Sequence, residues 1–77
     1  MTVALDQALL KAHARSDADA LITLYKQAAD TAATESATGF FLTHAYVFAL
    51  EAGDARAKEL RLALVQLGRD IPAPLEF

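Results

Sequence analysis

The fold of this chain is decided by residues 39–52, which read GFFLTHAYVFALEA. They contain three of the four phenylalanines and one of the two tyrosines. At helical periodicity their apolar side chains cover more than half of the circumference, which predicts a helix buried by neighbours on several sides. The apolar part falls short of the roughly 20 residues that cross a bilayer, so we expect a core helix and no membrane insertion.

The composition around this segment is typical of one small helical domain over residues 1–77. Hydrophobic residues make up 55% of the chain, with only three glycines and two prolines, and the helix formers alanine and leucine are abundant. The net charge of −3 disfavours binding to nucleic acid or anionic membranes, because both require a positive field. The absence of cysteine and of a basic leader segment is expected of a cytoplasmic protein.

Apolar periodicity predicts an all-α fold, a small antiparallel bundle of four short helices. A small polar segment, residues 34–39, is the predicted main loop. The predicted helices and the extended, proline-containing tail that follows them cover about residues 3–14, 17–33, 39–52, 55–67 and 69–77.

Capping residues mark most of these boundaries. Thr2 is a plausible cap for the first helix, and the second has Ser16 or Asp17. Ser36 or Thr38 is expected to cap the third helix, and Asp54 the fourth. Gly53 and Gly68 stand just after the third and fourth helices, where glycine readily adopts the left-handed conformation.

The third predicted helix also has a mixed face. Phe40, His44, Val47 and Glu51 follow i, i+4, i+7, i+11 spacing, opposite a purely apolar arc. Two interpretations are open, since either the first helix or the tail covers Phe40 and Val47, or the face binds a partner. In the second case Phe40 would be an anchor of the kind that protein interfaces favour.

A second candidate interface lies on the fourth helix, where Leu62 and Val65 fall outside the apolar stripe, beside Arg61. One alternative is that the tail folds back over them through Ile71, Leu75 and Phe77. The other is that a further chain covers them.

Catalytic and metal-binding patterns are not found. His13 and His44 stand on different predicted helices; the residue at i+4 is Asp17 for His13, in the next capping region, and Phe48 for His44, so neither has a ligating companion on its own helix. Ser16 and Ser36 fit caps or loops, and each glycine is isolated from the others. Arg56, Lys58 and Arg61 are diluted by acids, which disfavours a nucleic-acid helix. We therefore expect no catalytic residue, cofactor or metal. If the protein were an enzyme, His44 would be the one candidate catalytic residue that these patterns leave.

The spacing of the last two helices resembles the tetratricopeptide repeat. Tyr46-x-x-Ala49-Leu50-x-Ala52-x-Asp54 is similar to the second helix and exit of a repeat. Upstream, the first-helix positions of a repeat are matched by Leu21, Ile22 and Tyr25. Downstream, those of a following repeat are matched by Leu60, Ala63, Leu64 and Leu67. The resemblance covers about residues 17–67, roughly one and a half repeats.

The chain departs from this family in three ways. The segment between the Tyr25 and Tyr46 positions is too long by about two turns, the usual tryptophan is missing, and Asp54 replaces the customary proline. Three repeats are normally needed for an independent solenoid, so a chain this short would need self-association or a capping helix.

These patterns together predict a non-enzymatic protein-interaction module that binds through helix faces. The partner would be another protein or a second copy of the chain. The alternative is a structural or assembly subunit, either an obligate homodimer or a component of a larger complex. An independent module should fold as a monomer, and an obligate subunit should not.

Overall fold

A computed structural model describes residues 3–68, which form four α-helices joined by short turns. The helices are α1 (Val3–Arg15), α2 (Ala18–Asp30), α3 (Glu35–Ala52) and α4 (Arg56–Gln66). Residues 3–68 contain no strand, and the helices pack on one another, which confirms the predicted all-α bundle. The predicted cap Thr2 and the predicted extended tail, residues 69–77, lie outside the described residues.

The four helices are arranged as a row in chain order. The backbone of α2 approaches those of α1 and α3, and that of α4 approaches α3 alone among the described helices. The Cα atoms extend over 33 × 28 × 14 Å, whereas the Cα cylinder of one helix is only about 4.6 Å across. Helix α4 also reaches α2 through its side chains, so the row is staggered, and the domain is a slab with α1 at one edge and α4 at the other.

The larger of two core clusters joins α2, α3 and α4. Its buried members are Ile22, Ala45, Tyr46, Ala49, Leu60 and Leu64. The small residues at 45 and 49 are fully buried, so they let the flanking helices approach α3 closely. Burial of each large aliphatic side chain contributes about 1.5–3 kcal/mol, and this cluster holds three of them.

A smaller cluster attaches α1 to α2. Leu9 and Ala12 on α1 pack against Leu21 on α2, with Tyr25 and Phe48 at the border of the cluster. Only two large aliphatic side chains are buried here, so α1 has less apolar attachment than α4.

The turns after α1 and α3 share one hydrogen-bond pattern. The N–H of Asp17 donates to the carbonyl of Ala12 over 3.0 Å, and the N–H of Asp54 donates to that of Ala49 over 2.8 Å. In such a 6→1 bond the N–H belongs to the residue five positions after the carbonyl. The residue just before this N–H adopts the left-handed conformation. That residue is Gly53 in one turn, with φ 64°, as predicted, and Ser16 in the other, with φ 52°.

Helix α3 begins at Glu35 rather than near residue 39, so most of the predicted 34–39 loop is helical. The hydroxyl of Thr34, and not Ser36 or Thr38, caps the helix by accepting from the N–H of Ala37 over 3.0 Å. The Thr38 hydroxyl lies 3.0 Å from the carbonyl of Thr34, one turn earlier, and 3.4 Å from that of Ala29 on α2, so its single proton favours the local acceptor. Local bonds thus help to hold the small polar residues of the first turn in the helix.

Helix α2 ends at Asp30, three residues before the predicted end. The Thr31 hydroxyl lies 3.1 Å from the carbonyl of Gln27 and donates to it, which occupies one of the carbonyls left free at the helix end. At the other end of α2, Asp17 is the cap, accepting from the N–H of Ala20 over 3.2 Å.

Polar contacts fasten α4 to α2. The N-cap of α4 is Ala55 and not Asp54 as predicted. The Asp54 carboxylate instead accepts from the backbone N–H and the guanidinium of Arg56, each over 2.9 Å. The same guanidinium pairs with Asp19 on α2, while Lys26 pairs with Glu59 over 2.7 Å. Side-chain and backbone hydrogen bonds from Arg56 lower the pKa of Asp54 to about 2, and the bonds to Asp54 and Asp19 raise the pKa of Arg56 above its ordinary value.

Candidate protein-interaction surfaces

The first candidate surface is the α3 stripe, defined as Phe40, His44, Val47 and Glu51. Phe40 is 55% exposed and Val47 40%, Glu51 is exposed and His44 half-buried. Helix α1 does not lie over Phe40 and Val47, because it reaches α3 through a ring contact between His13 and Phe48. Cover by the tail, the other alternative, falls outside the described residues.

Phe40 borders a shallow groove of about 270 Å³ on α3, lined by Ser36, Gly39, Thr43 and His44 as well. The Phe40 ring lies 4.3 Å from the His44 ring and 5.4 Å from that of Phe41, measured between centroids. The Nδ1 atom of His44 lies 2.9 Å from the carbonyl oxygen of Phe40, so it donates to that carbonyl. The Phe40 side chain is thus held by contacts with the Phe41 and His44 rings, beside a groove lined mainly by small residues.

Sequence reasoning placed the two histidines on separate helices, and the structure brings both of them to Tyr25 on α2. The His44 ring stacks on Tyr25 with centroids 5.2 Å apart, and Nε2 of His13 shares a hydrogen bond of 3.0 Å with the Tyr25 hydroxyl. Phe48 completes the cluster with its ring 5.8 Å from Tyr25. Burial raises the pKa of Tyr25, so the phenol keeps a proton that it can donate to Nε2 of His13. The cluster ties α1, α2 and α3 together.

The second candidate surface is the α4 face, defined as Lys58, Arg61, Leu62 and Val65. Leu62 is 60% exposed and Val65 54%, and the four residues line a depression of about 330 Å³. Lys58 and Arg61 make no ion pair within the described residues, whereas Lys26 and Arg56 are both paired. This face therefore combines exposed apolar groups with unpaired cations.

A third surface was missed by sequence reasoning, namely a groove of about 710 Å³ between α1 and α2. Its walls include Leu5 and Ala8 on α1 and Leu24 on α2, and Asp30 and Thr31 lie at the end of α2. The groove depends on how α1 and α2 pack on each other, a tertiary arrangement that periodicity along one helix does not encode.

The outer side of α1 was also missed. Val3 is 72% exposed and Leu10 69%, on the side of the helix opposite Leu9 and Ala12. The signal was present, because a seven-residue spacing places Val3 and Leu10 on one face and the four-residue offset places Leu5 and Leu9 on another.

No family model, curated protein or solved structure matches this chain. Its function is therefore argued from its surfaces alone. Within residues 3–68, no helix combines the length and apolarity needed to cross a bilayer. The same residues contain no group of three or more histidine, aspartate or glutamate side chains placed to hold a metal ion.

Proposed function

We propose that this domain is a non-enzymatic protein-interaction module that docks a partner protein on the α3 stripe. One observation carries the proposal. Helix α3 supplies half of the buried residues of the larger core cluster, yet it leaves Phe40 more than half exposed, beside a groove. A large aromatic side chain loses apolar stabilisation when it stays in water, and a docked partner would restore it.

The local geometry supports Phe40 as an anchor. Its contacts with the Phe41 and His44 rings restrict its rotamers before any partner arrives. An anchor that is already ordered loses less conformational entropy on binding, which raises affinity. Glu51, exposed at the C-terminal end of the stripe, would supply orientation through its charge rather than bulk affinity.

The proposal includes a degenerate tetratricopeptide-like character and action in the cytoplasm. Burial of Tyr46 and Ala49 in the core of α2, α3 and α4 is compatible with the roles that the resemblance implies for them. The chain-order row of antiparallel helices is compatible as well. The partner is a protein, and the domain neither binds nucleic acid nor acts on a substrate.

The assembly-subunit alternative is favoured by a different observation. Leu62 and Val65, with Arg61 beside them, form an exposed apolar face on an edge helix. An edge face of this kind is what a subunit would use to join a neighbour, so this second candidate function concerns α4 and not α3.

The α3 proposal is tested with a photo-crosslinking amino acid placed at position 40, and at the exposed control position Lys11. Proteins crosslinked only from position 40 are then produced in pure form and titrated against the wild type and against Phe40→Asp/Val47→Asp. We expect the double variant to lose at least tenfold in affinity, about 1.4 kcal/mol, with thermal stability nearly unchanged.

Two results would contradict the proposal. Heavy loss of thermal stability in the double variant would show that Phe40 and Val47 belong to the core. Unchanged affinity for the purified partner would show that the stripe is not the contact.

A further inference from the structure

The two edges of the slab expose matching pairs of apolar side chains. Val3 and Leu10 lie on the outer side of α1, and Leu62 and Val65 lie on the outer side of α4. All four side chains are more than half exposed. In a row of helices, each inner helix is covered by the next, so these two outer faces are where the row stops without cover.

The charges at the two edges are of opposite sign. Asp6 lies between Val3 and Leu10 on α1, at i, i+3, i+7 spacing, and makes no ion pair within the described residues. On α4, Lys58 and Arg61 border Leu62 and Val65 and are likewise unpaired. The α1 edge thus presents one unpaired carboxylate between its two apolar groups, with Lys11 about 100° around the helix from Leu10, and the α4 edge presents two unpaired cations.

The spacing of the two faces allows them to meet. If a second α1 lies antiparallel on α4 with Asp6 level with Arg61, a rise of about 1.5 Å per residue brings Val3 within about 1.5 Å of Val65 along the axis. In the same register Leu10 comes level with the aliphatic stem of Lys58, which can cover an apolar side chain. An antiparallel α1 also continues the up-and-down order of the row.

We propose that the α4 face of one copy docks on the outer side of α1 of a second copy of this chain, head to tail. This proposal rests on the assembly-subunit alternative described above. It names a second copy of the chain as the partner of the α4 face. Because the two contacting faces differ, each pair leaves one α1 edge and one α4 edge free, and further copies add in an open row.

Symmetric pairing is disfavoured by the same charges. An α4 face against another α4 face brings Lys58 and Arg61 close to their own copies, and α1 against α1 brings Asp6 close to Asp6. Like charges placed opposite each other are destabilising and steer a surface away from the wrong partner.

Sedimentation velocity of the full chain tests the proposal from about 10 μM to about 1 mM, a range suited to a small, transient interface. We expect a concentration-dependent series of dimers and longer rows. Leu10→Asp blocks one edge and Val65→Asp the other, and both positions are exposed, so both variants should fold. Each alone should be monomeric, with association weakened at least tenfold, and a mixture of the two should form a heterodimer and nothing longer.

A charge exchange gives a second arm. Asp6→Arg and Arg61→Glu should each weaken association at least tenfold, and the chain carrying both changes should regain it. Val47→Asp is the matched control, because it removes an exposed apolar group from the α3 stripe and should leave self-association unchanged. Loss of partner binding by the α3 stripe would leave this result untouched, so the two proposals fail separately.

Three outcomes would overturn the proposal. One is a wild-type chain that stays monomeric at about 1 mM, and another is dimerisation by either edge variant alone. The third is intramolecular crosslinking of α4 to residues 69–77 in such a monomer, which would assign the α4 face to the tail.

Discussion

The two edges of the slab use the same kind of turn but are attached with different strength. Helix α4 buries Leu60 and Leu64 in the larger core cluster and is fastened to α2 through Arg56. Helix α1 is attached through Leu9 and Ala12 and the hydrogen bond between His13 and Tyr25. The difference teaches that stability in a row of helices is local, so α1 should open before the rest unfolds.

The largest expected effect comes from removing one leucine at each edge. Leu60→Ala should cost about 3–4 kcal/mol, because Leu60 is fully buried in the larger cluster. Leu9→Ala should cost about 2 kcal/mol, because α1 can shift to close the space. Urea denaturation followed by circular dichroism measures both. Equal losses of unfolding free energy in the two variants would contradict a weaker attachment of α1 than of α4.

The two left-handed turn residues give the next contrast. Gly53→Ala should destabilise by about 1–2 kcal/mol, since a Cβ at positive φ is strained. Ser16→Gly should stabilise by about 0.5 kcal/mol, because it removes that strain from the other turn while adding some freedom to the unfolded chain. Thermal unfolding midpoints of the two variants, compared with that of the wild type, show whether each substitution stabilises or destabilises the fold. Stabilisation by Gly53→Ala would show that the two turns are not equivalent.

A smaller effect is expected at the attachment of α1. Tyr25→Phe removes the hydroxyl that bonds to His13 and should cost about 0.5–1 kcal/mol. Hydrogen exchange should then accelerate in the α1 amides more than in those of α3. Tyr46→Phe is the control, because the Tyr46 hydroxyl makes no hydrogen bond among the described residues. Uniform acceleration over all four helices would mean that α1 does not open separately.

The smallest effect concerns the α4 edge in acid. The pKa of Asp54 is lowered from 3.8 to about 2 in the fold. Its stabilising contribution is therefore complete above the unfolded value and is lost as the pH falls toward the folded value. Asp54→Asn keeps an oxygen acceptor for the backbone N–H of Arg56 but does not titrate, so its thermal midpoint should fall less steeply than that of the wild type below about pH 4.

Asp30→Asn serves as the control for this acid titration, because Asp30 is exposed and makes no ion pair within the described residues. Its midpoint should follow the wild type. A parallel fall in the wild type and in Asp54→Asn would remove Asp54 as the source of the acid sensitivity.

Local signals predicted much of this fold from the sequence. The fully apolar arc of α3, the glycine after it and the cap at Asp17 each depend on residues within one or two turns, and each is present in the structure. The start of α3 was placed too late because the cap was assigned to Ser36 or Thr38, whereas the Thr34 hydroxyl is the cap. All three are capping residue types, and local patterns do not choose among them.

The candidate surfaces divide in the same way. Exposure of Phe40 and Val47 follows from their place on the helical wheel, opposite the apolar arc. The meeting of His13 and His44 at Tyr25 depends on how three helices are arranged, so spacing along one helix gave no sign of it. That these surfaces bind a partner stays a prediction, to be decided by the crosslinking and sedimentation experiments.

The position of Tyr25 also gives the domain a built-in optical reporter. The chain contains two tyrosines and no tryptophan, so its intrinsic fluorescence comes from Tyr25 and Tyr46. An imidazole that accepts a hydrogen bond from a phenol quenches the phenol's emission, so Tyr25 should be dim while His13 is in contact. Departure of α1 would brighten it, with Tyr46 still enclosed among α2, α3 and α4.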